Sequence, residues 1–173
     1  MGNKLTHEGD AFINFRDYKF RGAKSHGFSW VSVKHLRLAP DAVSDEELLT
    51  ALVGHEQFRD DYAGGGVLPD GPRHGPYWLR SVTPDVYETV SLEKGVQILR
   101  EWLSRFEDAP AELEADLQQE VFDRMAAADH LYYLGELGDE AVHGWGRVHE
   151  YFHEFVLIDR SAGRITLLVA ADD

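Results

Sequence analysis

From Ala11 to Arg21 apolar and polar residues alternate, with Ile13 and Phe15 on one side and Tyr18 and Phe20 on the other. That two-residue period predicts a half-buried strand, and the slip of phase at Arg16–Asp17 predicts a bulge or tight turn. A second strand is expected over Phe28 to Leu38, pairing antiparallel with the first. Ser44-Asp-Glu-Glu47 reads as a capping box: Ser44 accepts from a freed N–H and Glu47 reaches back. Leu48, Leu49, Leu52 and Val53 then give a helical stripe that Gly54 ends.

The pattern lapses over 63–76, where Gly64, Gly65, Gly66, Gly71 and Gly75 mix with Pro69, Pro72 and Pro76. This is a long irregular loop, a kind often functional. Tyr77 to Val90 suggests a strand interrupted at Pro84. Ser91 to Phe106 is the clearest helix, with Leu92, Val96, Leu99 and Leu103 on one stripe. Asp108 and Pro110 suit the start of another, running through Leu113, Leu117, Val121 and Met125 toward Leu134. Near the end, Glu154–Ile158 and Arg164–Val169 flank Asp159-Arg-Ser-Ala-Gly163, a hairpin signal.

Because the middle is helical, the terminal strands must find partners in each other. The expected fold is therefore α+β: a mainly antiparallel sheet formed by N- and C-terminal strands, packed against two or three helices from the middle of the chain. One domain over residues 1–173 suits the length.

Composition narrows the chemistry. A 43% hydrophobic fraction supports a core without staples. The absence of cysteine excludes disulfides, thiolate zinc sites, iron–sulfur clusters and cysteine nucleophiles, and it fits a reducing cytoplasm. No apolar run is long enough for a signal peptide or a membrane span. Arginine outnumbers lysine twelve to five, as in GC-rich bacterial proteins.

The net charge of −14 is unevenly placed. Residues 1–40 hold seven Lys/Arg against three Asp/Glu, a net of +4, and 41–173 hold ten against twenty-eight, a net of −18. Nucleic-acid binding is not expected of such a chain. The acid excess either serves solubility or marks a surface for a basic protein, centred on Glu112, Glu114, Asp116, Glu120 and Asp123. Tyr77 and Trp78, beside the glycine-rich loop, are candidate aromatic anchors for the same partner.

His149-Glu150-Tyr151-Phe152-His153 matches the H-E-x-x-H pattern of zinc hydrolases. On a helix, His149 and His153 would share a face at roughly 6 Å and could ligate one zinc, with Glu150 as general base. On a strand they would lie about 13 Å apart and could not. Gly144, Gly146 and the β-prone Phe155-Val-Leu-Ile158 weigh against the helix. Two functions follow. The first is a non-enzymatic intracellular interaction protein, an acidic inhibitor or immunity-like protein with a basic partner and no cofactor. The alternative is a small zinc-dependent hydrolase.

Overall fold

The computed structural model describes residues 5–20, 28–39, 44–62, 66–104, 109–144 and 151–172. Strand β1 (Leu5–Asn14) pairs antiparallel with β2 (Ser29–Leu38). The phase slip at Arg16–Asp17 is a 3-10 turn over Phe15–Asp17, in which the Asn14 side chain accepts from the Arg16 N–H. Helix α1 (Asp45–Val53) starts at Ser44, whose Oγ accepts from the Glu47 N–H at 3.1 Å.

The glycine-rich stretch is shorter than expected, because β3 (Arg73–His74) and β4 (Tyr77–Trp78) close a small hairpin within and beyond it. The single strand expected from Tyr77 to Val90 is divided. Two 3-10 turns separate β4 from β5 (Tyr87–Val90), and Pro84 opens the second, where a fixed φ is accommodated. Helix α2 (Leu92–Leu103) follows, capped by Ser91.

Helix α3 (Ala111–Leu117) continues through a π-helical turn into α4 (Asp123–Ala127). The expected extension toward Leu134 fails: Ala128 leaves the helix, and β6 (His130–Leu134) takes the aromatic, β-prone Leu131-Tyr-Tyr133 into the sheet. Strands β7 (Tyr151–Asp159) and β8 (Arg164–Asp172) form the expected hairpin, with Gly163 at φ 65° in its turn.

The sheet has six antiparallel strands in the order β1-β2-β8-β7-β6-β5, so the chain's two ends do meet at its centre. Successive strand side chains point to opposite faces, and both faces are covered. On the helical face, Val33, Phe155 and Leu168 pack under Leu99, Leu113, Leu117 and Met125 of α2, α3 and α4. On the other, Leu36, Val156, Ile158 and Leu167 pack under α1 and the irregular segments, through Leu48, Leu52, Phe58 and Val82. Each fully buried side chain of this size contributes about 1.5–3 kcal/mol. No helix among the described residues is long and apolar enough to cross a membrane.

Candidate functional site

The even positions of β2 point Trp30, Ser32 and Lys34 toward the loop face, opposite Asn14, Phe12 and Asp10 of β1. The segment after α1 crosses above them. Lys34 is only 4% exposed, and its Nζ lies 2.9 Å from both Asp60 Oδ2 and the Gln57 carbonyl, 5.0 Å over the Tyr62 ring. Three partners offset the cost of burying that ammonium. The other Asp60 oxygen accepts from the Tyr62 N–H at 2.8 Å. Asp60 therefore clamps the strand to the crossing segment.

Tyr62 has φ 56°, the one positive φ among described non-glycine residues. A bulky residue held there costs about 1–3 kcal/mol and points to a demand for its side chain. Its ring stacks on Trp30 at 5.4 Å, and Trp30 stacks on Phe12 at 5.8 Å. Burial, with Asp60 and Glu154 nearby, raises the Tyr62 pKa well above its ordinary value, so the phenol stays protonated.

Trp30 and Tyr62 line an open cleft of about 770 Å³, together with Gln57, Asp60, Gly66 and Val67. Phe12 and Phe28 stand at its mouth, 60% and 69% exposed. Its volume is that of a ligand or anchor-residue site.

Beneath the cleft lies a second polar cluster with no access to water. His74 and Glu154 are each 0% exposed. His74 Nδ1 donates to the Phe58 carbonyl at 2.5 Å, its Nε2 is hydrogen-bonded with Glu154, and the Tyr87 hydroxyl donates to the other Glu154 oxygen. Phe58 stacks flat on the His74 ring at 3.5 Å. Burial first, then the Glu154 charge, keeps the Tyr87 hydroxyl protonated and donating. The cluster ties β3, β5 and β7 together.

The residues singled out from the sequence fall elsewhere. Tyr77 is buried, with its ring edge-on to Phe152 at 6.3 Å. Trp78 is half-buried, with Arg73 and Arg80 over its ring. Along the acidic stretch Glu112 is exposed, whereas Glu114 pairs with Arg100 at 3.0 Å and Glu120 with Arg124 at 3.3 Å. Asp116 accepts from the Tyr18 hydroxyl and Asp123 from Gln118 Nε2. Part of the acid is thus neutralised locally.

His149 and Glu150 lie outside the described residues. His153 is on strand β7, its Nδ1 2.9 Å from the Tyr133 hydroxyl. A helix through His153, which joint zinc ligation with His149 requires, is therefore not formed at that end. Among the described residues, no group of three or more His, Asp or Glu is placed to hold a metal.

The cleft itself escaped the sequence reading. Lys34 beside Trp30-Val-Ser-Val33 is the trace of the buried ion pair, and Glu154 beside Phe155-Val-Leu-Ile158 of the cluster with His74, because strands buried on both faces tolerate charge only when it is paired.

No family model matches this chain, and neither does any curated protein. Among solved structures, a crystal structure of citrus MAF1 is similar at 12% identity over 91% of this chain and 92% of that one, with a TM-score of 0.43. Likeness of that degree carries no argument about this chain.

Proposed function

We propose that this chain is a non-enzymatic recognition protein whose cleft over β1 and β2 grips a protein partner of net positive charge. One observation carries the reading: two of the largest exposed apolar side chains, Phe12 and Phe28, converge on the mouth of an aromatic-lined cleft. Interfaces are anchored by such clusters. The charged groups at its floor, Lys34 and Asp60, already hold each other, which suits them to shape the cleft rather than to react. The net charge of −14 steers a basic partner, and Glu112 and its neighbours on α3 contribute to that field from the opposite face.

Immobilised protein tests this in a lysate. The wild type is expected to retain a basic protein that elutes with salt, and Phe12→Ala with Phe28→Ala to retain at least about tenfold less, the loss of one or two anchors. Equal retention by both would refute the cleft as the site. Reversing Glu112 and Asp123 to Lys is expected to slow association without speeding dissociation.

A further inference from the structure

Strand β1 ends the sheet, and among the described residues no strand pairs with its outer side. An edge presents a row of backbone donors and acceptors, which proteins guard with bulges and charges. The first half of β1 has such guards: its register breaks between His7 and Gly9, and Glu8 at the break pairs with Arg37. Residues 10–14 run in unbroken register from Asp10 opposite Lys34 to Asn14 opposite Trp30. At the centre of this stretch stands Phe12, 60% exposed.

We propose that a second copy of this chain pairs its own residues 10–14 antiparallel with this edge, about a twofold axis at Phe12, joining the two six-stranded sheets into one. Antiparallel pairing about that point sets Phe12 against its counterpart, Ala11 against Ile13, and Asp10 against Asn14. No like charges meet, and the central pair is aromatic on aromatic, a favourable cross-strand combination. Within residues 10–14 the single charged side chain is Asp10, and this register sets it against the neutral Asn14. The axis stands perpendicular to the sheet, so both aromatic clefts open on one side and Phe12 lies between them. A pairing this short makes a weak, concentration-dependent dimer. It is claimed whether or not a foreign partner binds.

Light scattering across a concentration series at physiological salt is the first test. The mass is expected to rise from 19.6 kDa toward twice that value. Phe12→Lys is expected to stay monomeric at every concentration with an unchanged melting temperature, because the side chain is largely exposed. The chain has no cysteine, so a single introduced thiol reports one contact. Under mild oxidation Phe12→Cys is expected to link two copies, since directly opposed strand residues meet disulfide geometry. Thr6→Cys, exposed on the guarded half, is expected to remain unlinked. A constant mass of 19.6 kDa with Phe12→Cys linking no faster than Thr6→Cys would overturn the proposal. So would a dimer that survives Phe12→Lys intact, or a monomer whose residues 10–14 are protected only by a different protein.

Discussion

On the helical face, Leu113, Leu117 and Met125 press onto Phe155 and Leu168, and the carboxylate of Asp172 accepts from Trp102 Nε1 at 2.7 Å. On the loop face the same central strands turn Lys34 and Glu154 inward. The difference follows from what covers each side. Helices satisfy their own backbone and offer a continuous apolar stripe, whereas irregular segments bring carbonyls that need donors. Lys34 serves the Gln57 carbonyl, His74 that of Phe58, Arg59 that of Gly71 and His143 that of Gly75. The buried polar residues are thus the fasteners of the irregular cover. Among the described residues that cover stops short over β1 and β2, where the aromatic cleft lies open.

This contrast is most sharply broken at Glu154. Glu154→Ala leaves His74 and Tyr87 without their shared partner, and a loss of about 3–5 kcal/mol in urea unfolding is expected. Two glycines, one under each cover, give a smaller and paired effect. A methyl at Gly75, which has φ 54°, would sit 2.7 Å from Phe152 Cε2, so Gly75→Ala is expected to cost about 1–3 kcal/mol. At Gly95 in α2 the nearest atom is the flexible Met125 Cε at 2.9 Å. The helix gains about 1 kcal/mol from alanine, so Gly95→Ala should change stability by less than about 1 kcal/mol.

His35 supplies a pH dependence on the helical side. Burial first, then the charges of Arg124 and Arg164, lower its pKa from 6.5 to about 4. Folding therefore favours the neutral ring. Its contribution is complete above pH 6.5 and is lost as the pH falls toward 4, where the unfolded chain takes up the proton first. His35→Gln should flatten that part of the stability curve. The smallest effect is expected from Glu112→Lys, an exposed change worth less than about 0.5 kcal/mol in stability.

The helical face was the more legible in the sequence. The Leu92, Leu99 and Leu103 spacing and the Ser44 and Ser91 positions describe a helix through local rules. The Asp159–Gly163 turn did the same for the β7–β8 hairpin. Strand β6 was lost because Leu131 and Leu134 prolong the apolar spacing of Val121 and Met125, and only pairing with β5 and β7 decides the matter. The cleft was illegible for a similar reason. Phe12, Trp30, Lys34, Asp60 and Tyr62 come from three segments with no common spacing, and only the strand register and the crossing segment bring them together.

Hydrogen exchange of the protein with and without its captured partner tests the central claim most directly. Protection is predicted at residues 10–16, 28–34 and 57–62 around the cleft, with 111–127 on the helical face unchanged. Protection confined to 111–127, with the cleft exchanging as in the free protein, would contradict it.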